Sequence, residues 1–341
     1  MTDLVRIPPN LQAVADAAGV HRSTASRALN PATRHLVAGD VAGRIIETAR
    51  QLGYRRDAIA ASLRTGRSRL VGVVVPDIAN PVFGPILRGI ESALASAGYS
   101  CLLANVGRDE AEQMRLVEEL MERRVDGLIL ATARKDDPVL GACLDAGTPT
   151  VLVNRAEERE RASAVVSDDR AGMILAVRHL ASLGHRRIGH LAGPQDLSTG
   201  ALRREGFVAA IRQLGLADEN AWIEAAAYTR EAGEVAAAEI LSRFDVTAIA
   251  AANDLLALGA YRAVAARGLR CPADISIVGH NDMPLVDMVE PPLTTIRISH
   301  LRMGEEAARL LLRGIESPGS KPERIVTEPE LVRRASTAPP R

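Results

Sequence analysis

Apolar and small residues stand at positions 14, 15, 18, 20, 25 and 28, with polar residues between them. That spacing predicts two short helices crossing at close range, the first from Leu11 to about Ala18 and the second starting near Arg22–Ser23. Asn10 is a residue type that caps helix N-termini, small Ala15 lets the pair approach, and Gly19 sits at a tight turn that calls for positive φ. Ala25 and Ala28 then face inward, while Arg22, Ser23, Arg27 and Asn30 face outward. A third helix is predicted over residues 38–52, with Val41, Ile45, Ile46, Ala49 and Leu52 as its apolar stripe and Gly53 as its C-cap. A short amphipathic segment follows, with Asp57 as N-cap and Leu63 near its end. The first two helices fill every packing position of a helix-turn-helix, with a generic helical hairpin as the less favoured alternative; the segments that follow strengthen the first reading.

From Leu70 onward the pattern changes. Strand-length apolar runs at 70–75, 101–105, 127–131, 150–153, 187–192, 248–252 and 274–279 alternate with amphipathic stretches of helical period near 82–97, 109–123, 136–146, 169–183, 200–214, 230–242, 253–267 and 300–313. Such alternation predicts α/β architecture with parallel sheets covered on both faces. Its length exceeds one sheet, so two doubly wound lobes in tandem are expected. Ligands of such sheets sit beyond the carboxyl ends of the strands, at the topological switch point. Asp77, Asn80, Phe83, Asp168, Asn253, Asp254, His280, Asn281 and Asp282 all follow predicted strands. Any one of them is better accounted for by a helix cap or a turn. Taken together they outline one sheet edge.

Composition narrows the class. With 47% apolar and 25% charged residues the chain is an ordinary globular protein. No apolar run approaches the ~18 residues of a membrane helix, and the first residues, MTDLVRIPPNLQ, are not a secretory signal. Cys101, Cys143 and Cys271 are far apart, which suits reduced thiols in a cytoplasmic protein better than a disulfide framework or a metal site. The formal net charge of zero conceals a segregation: residues 1–70 hold eleven Arg against five Asp and Glu, so a basic N-terminal segment is joined to an acidic body. A local nucleic-acid footprint has this form. No glycine-rich phosphate loop, nucleophile elbow, zinc motif or carboxylate dyad accompanies the strands, so neither an enzyme nor a cofactor is expected.

The segments GVHRSTASRALN, QLGYRRDAIAASLRTGRS and LVGVVVPDIANPVF resemble the LacI/GalR family of bacterial repressors. LASLGHRRIGHLAGP, ALRREGF, AIAAANDLLALGAYRA, DISIVGHNDMPLVDMVEPPLTTIR and PELVRRAST extend the resemblance through the body. It implies a helix-turn-helix headpiece over 1–56, a hinge helix and linker over 57–69, and a two-lobed body like a periplasmic binding protein. The implied first lobe is 70–168 plus 298–325, and the second is 169–297 plus 326–337. Matched position by position, His21, Arg22 and Ser23 fall on base-reading positions, Thr24, Ser26, Arg27 and Asn30 on the phosphate- and base-contacting frame, and Leu63 on the wedge that kinks DNA. The chemistry agrees, since Arg forks onto guanine and an apolar wedge unstacks a base step. In the cleft, Asp168, Arg203, Asn253 and Asn281 match the family's hydrogen-bonding effector residues, Phe83 and Tyr228 its walls, and Asn80 its first loop. Arg203 reads equally as a solvated helix arginine; the R-x-x-G-F context of Gly206 and Phe207 favours the cleft.

Three departures bear on the reading. Arg56 and Asp57 replace the family's usual Pro-Asn, residues 31–37 replace its usual loop, and His280-Asn281-Asp282 replaces its aromatic-Asp-Asp. An uncharged amide at 281 is compatible with an anionic effector beside Arg203. Aromatic residues are only 2% of the chain, so a heavily stacked sugar platform is not expected, and His280 is expected as a satisfied histidine at the cleft edge. The expected protein is a homodimeric repressor of a pseudo-palindromic operator, controlled by a small-molecule effector such as a sugar or sugar acid. A ligand-insensitive architectural DNA-binding protein is the alternative, and a solute-binding protein a more distant one.

Overall fold

The computed structural model describes residues 9–30, 33–54, 66–107, 109–216 and 218–341. The chain divides at Ser68/Arg69 into two compact units. The first holds α1 (Leu11–Ala17), α2 (Arg22–Leu29), a 3-10 turn at Arg34–Leu36 and α3 (Gly39–Leu52). Asn10 caps α1 by accepting from the Ala13 N–H at 2.9 Å, and Gly19 turns the chain at φ +62°. Val14, Ala15, Ala18, Ala25, Ala28, Ala42, Ile45 and Ala49 form its core. The α3 stripe departs from expectation. Small Ala42 is buried beside Ile45 and Ala49, whereas Leu52, in the last turn, is 41% exposed. Three short helices have too little surface to cover the end of the third. Leu63, Asp57 and the predicted hinge helix lie outside the described residues, as do residues 31 and 32 of the divergent loop.

The second unit contains two sheets of six strands. The first runs in the order β11-β5-β4-β3-β1-β2, with β1 Leu70–Val75, β2 Ser100–Asn105, β3 Gly127–Leu130, β4 Thr150–Val153, β5 Ser163–Ser167 and β11 Arg324–Thr327, all parallel. Helices α4 (Phe83–Ser96) and α11 (His300–Glu316) cover one face, and α5 (Glu110–Glu122) and α6 (Pro138–Asp145) the other. Helices α4 and α11 touch backbone to backbone. A Cβ at Gly89 would collide with the Leu301 carbonyl, and one at Gly304 with the Ile86 carbonyl, so only glycine permits this crossing.

The second sheet runs β12-β10-β9-β8-β6-β7, with β6 Ile188–Ala192, β7 Trp222–Glu224, β8 Ala248–Ala251, β9 Ser276–Asn281, β10 Thr294–Arg297 and β12 Glu330–Val332. Helices α7 (Asp169–Ser182) and α8 (Ser198–Gln213) pack on one face, α9 (Arg230–Arg243) and α10 (Asp254–Ala266) on the other. Two details differ from the sequence reading. Strand β12 is antiparallel to β10, so this sheet is not wholly parallel. Val326 and Thr327 pair with Val166 and Ser167 in the first sheet, which carries the lobe boundary past residue 325. Strand β5 was anticipated only as the run before Asp168, and β7, β10, β11 and β12 were not anticipated: they are three or four residues long, and β7, β11 and β12 are edges.

The chain passes between the lobes three times, after β5, after β10 and after β11. In each lobe the strand order reverses beside the first strand, between β1 and β3 and between β6 and β8. Those two switch points are where doubly wound sheets open crevices.

Candidate functional site

In the first unit, α2 offers a polar outer face. His21, Arg22, Ser23 and Arg27 are exposed, and Thr24, Ser26 and Asn30 are half-buried. This follows from the burial of Ala25 and Ala28 at i, i+3, which turns the intervening positions outward. His21 has a local task as well: its Nδ1 accepts from the Ser23 N–H at 3.3 Å and lies 2.8 Å from the Ser23 hydroxyl, so it caps α2. The C-terminal end is tied by Thr33, whose hydroxyl donates to the Arg27 carbonyl at 3.1 Å, and by Arg34, whose Nε donates to that of Ala28 at 3.0 Å. Sequence reasoning missed these two anchors because they lie in the divergent loop.

In the second unit a cavity of about 330 Å³ opens between the lobes, lined by both switch points. Asp77, Asn80, Asn105, Gln113, Thr132 and Arg134 come from the first lobe, and Asp196, Leu197, Tyr228 and Thr229 from the second. Beneath it a recess of about 20 Å³ is walled by Asn80, Phe83, Arg203, Tyr228, Asn253 and Asn281. Six of the seven cleft residues singled out from sequence thus meet around one recess. Cross-lobe contacts close its side: the Lys135 N–H donates to the Asp196 carbonyl at 3.1 Å, and the Ala156 N–H to the Ser198 hydroxyl at 3.1 Å.

Asp168 is not among the lining residues. It is exposed and caps α7, accepting from the Ala171 N–H at 2.9 Å. The carboxylate that matters is its neighbour Asp169, at the first residue of α7, whose Oδ1 receives Arg203 Nε at 2.8 Å and Nη2 at 2.7 Å. Arg203 Nη1 donates to the Ala252 carbonyl at 2.5 Å, and Nη2 to Asn281 Oδ1 at 3.2 Å. The guanidinium is therefore neither solvated nor left for an anion; both partners of the pair are about 2% exposed and the charge is already balanced. The charge expected to face an anionic effector is thus met within the protein by Asp169. Burial pushes the Asp169 carboxyl up, and the adjoining guanidinium pulls it back only in part.

Behind the recess, Asp254 accepts from Thr295 Oγ1 at 2.5 Å and from the Met283 N–H at 2.8 Å, and burial pushes its carboxyl up to about 7. Asp282 pairs instead with Arg297 and Arg334 at 2.7 Å each. His280 does not sit satisfied at the cleft edge. It is fully buried against Gly172 with neither ring nitrogen hydrogen-bonded, and burial together with Arg203 pushes its pKa well down, so it is neutral. Asn281 holds its place at φ +119°, a strained conformation outside the usual range of side-chain-bearing residues. Asn253 caps α10 through Oδ1, leaving its amide nitrogen toward the recess it lines. Gln113 and Thr132 were missed from sequence, although Thr132 lies two residues beyond the end of β3, where the switch-point rule directs attention.

Among the described residues no group of three His, Cys, Asp or Glu side chains could hold a metal ion, and no helix is long and apolar enough to cross a membrane. Residues 177–337 match the model of the periplasmic binding protein-like domain. The transcriptional regulator MalR of Streptomyces coelicolor is 37% identical over 334 residues, covering 95% of this chain and 95% of its own. The regulator CelR of Thermobifida fusca is 35% identical over 342 residues, covering 96% and 98%. Among solved structures, a lac repressor dimer bound to operator and the anti-inducer ONPF superposes with a TM-score of 0.87 at 28% identity, over 97% of this chain and all of that one. A CelR–cellobiose complex matches with a TM-score of 0.75 at 34% identity, over 96% and 99%. These full-length likenesses join the helix pair of the first unit to the two-lobed body of the second, and the chain belongs to the LacI/GalR family of helix-turn-helix transcriptional regulators.

Proposed function

We propose that this regulator binds a pseudo-palindromic operator as a homodimer, through the outer face of α2, and that a small neutral effector in the interlobe cleft sets its grip on DNA. The observation that carries this reading is the cleft itself. One cavity is lined by residues of both lobes, so a molecule bound there touches both and favours one angle between them. DNA and effector affinities are then reciprocally coupled.

On α2, the exposed Arg22 and Ser23 read base edges, while the exposed Arg27 and the half-buried Thr24, Ser26 and Asn30 grip phosphates and position the helix; His21 contributes chiefly by fixing the helix start. Leu63 is assigned the minor-groove wedge by resemblance. In the cleft, Asn80, Phe83, Arg203, Tyr228, Asn253 and Asn281 form the inner recess, with Asp169 rather than Asp168 holding Arg203 in place. Arg203 is neutralised within the protein, and the other charged groups around the cleft balance in number, Arg134 and Arg155 against Asp77 and Asp196, so the cleft as a whole offers oriented donors and acceptors without net charge, which suits hydroxyl groups better than carboxylates. The solved CelR relative holds cellobiose, in keeping with this chemistry. Leu285 and Met288, 71% and 78% exposed, follow β9 and are assigned to the surface that a second copy covers. No catalytic role is assigned to any of these groups.

A mobility shift on DNA immediately upstream of the protein's own gene, with and without neutral sugars, tests the proposal. A shifted band released or strengthened by a sugar is the expected result. Binding indifferent to every small molecule supports the architectural alternative instead.

A further inference from the structure

Taking the cleft as the effector site, we propose that Gln113 and Thr132 are its specificity-determining pair, and that the effector, a neutral saccharide, lies mainly in the outer chamber they line. The first argument is space. The inner recess, about 20 Å³, admits one water-sized group. The outer chamber, about 330 Å³, is of the size that small-molecule sites require. The residues around Arg203 therefore meet a single hydroxyl, and the body of the effector contacts other side chains.

The second argument is which of those side chains are uncommitted. Asp77 accepts from the Ala79 N–H, Asn80 from the Val82 N–H and Asn105 from the Ile78 N–H, all holding the loop after β1. Thr229 caps α9, Arg134 lies 3.7 Å from Asp196, and Arg155, which lines both spaces, is engaged within the protein as well. Gln113 differs. It occupies the inward stripe of α5 with Val117 and Leu120, and is 6% exposed at a position where an apolar residue would cost nothing. Its Nε2 donates to Thr132 Oγ1 at 2.5 Å, and Thr132 is itself 4% exposed. With that bond made, Gln113 Oε1 remains an acceptor and the Thr132 hydroxyl still has a proton to donate. A buried, fixed acceptor and donor stand side by side on the chamber wall, without charge. A sugar hydroxyl, which donates and accepts at once, matches that pair; a carboxylate or a phosphate, which only accepts, does not.

The experiment is calorimetric titration of the full-length protein and of Gln113→Met and Thr132→Val with glucose, galactose, ribose, maltose and cellobiose. Both substitutions keep side-chain volume, and operator binding without sugar, expected unchanged, controls for folding. Wild type is expected to bind at least one of the five and to rank them. In either variant the ratio between the best sugar and the next is expected to shrink about tenfold, the worth of one good hydrogen bond. An unchanged ratio in variants that still bind operator overturns the role of the pair. If wild type binds operator but none of the five sugars, the saccharide assignment falls while the regulator reading stands; if it binds no operator either, that reading has failed on its own.

Discussion

Replacing Asp169 with Asn should destabilise the second lobe out of proportion to the size of the change. The substitution keeps the shape of the side chain and an oxygen facing Arg203 Nε, but removes the only carboxylate ion-paired with that guanidinium among the described residues. What remains are neutral acceptors, the Ala252 carbonyl at 2.5 Å and Asn281 Oδ1 at 3.2 Å. Breaking a buried pair from one side costs about 3–5 kcal/mol, because the surviving charge stays desolvated. Retention of one neutral hydrogen bond places this case near the lower end, at about 3 kcal/mol. The double variant Asp169→Asn with Arg203→Met removes both charges. It should recover roughly 1–3 kcal/mol relative to the sum of the singles, the usual coupling for residues in contact. Trp222, the only tryptophan in the chain, lies in β7 of the same sheet, so its emission during urea unfolding reports on this lobe. With a urea dependence of about 3 kcal/mol per M, the midpoint should fall by about 1 M. A fall of less than about 0.3 M, or a double variant equal to the sum of its parts, would show that Arg203 does not depend on Asp169.

Three further outcomes are expected. Gly19→Val forces a β-branched residue to φ +62°, costing about 1–2 kcal/mol; the headpiece should lose protection from proteolysis while the body keeps its own, and equal resistance would remove the requirement for glycine. Arg22→Ala should relax base preference at one or two operator positions, whereas Arg27→Ala should weaken all sequences alike and reduce the salt slope by about one; identical effects of the two would dissolve the division of labour on α2. Acidification should also destabilise the body. Burial pushes His190 and His300 down to about 4 and His280 well down, so below about pH 6.5 the unfolded chain takes up protons that the folded protein refuses. Stability present above that pH drains toward pH 4, by up to about 1.4 kcal/mol per unit per histidine. Asp254, held near 7, binds its proton more tightly in the folded state and offsets one histidine over the same range. A urea midpoint at pH 5 equal to or above that at pH 7 would contradict this balance.

The secondary structure of the body was legible because each helix carries an apolar stripe and each central strand an unbroken apolar run. LVGVVV and TVLV became strands at the residues expected. Edges were illegible for the converse reason: in β11, Arg324 and Val326 are solvent-facing, so no periodic signal distinguishes the strand from a loop. Position after a strand identified the recess, yet could not separate Asp168 from Asp169. Which of two adjacent carboxylates caps a helix and which turns inward depends on α8, 34 residues away, bringing Arg203. Gln113 was hidden differently. A glutamine within an amphipathic helix looks like solvent-facing filler until Val117 and Leu120 are seen to share its face.

The contact between α4 and α11 orders events during synthesis. Helix α4 is complete by residue 96, but the partner whose glycine it meets is not made until residue 316, and the sixth strand of the first sheet not until residue 327. In chain order, β6 to β10 of the other lobe are therefore made before the first lobe has its second helical layer complete, and only β12 comes later. Nascent chains stalled anywhere in between expose the faces of Ile86 and Ile90, a ready target for chaperones or proteases. Only a chain translated almost to its end can close its first lobe.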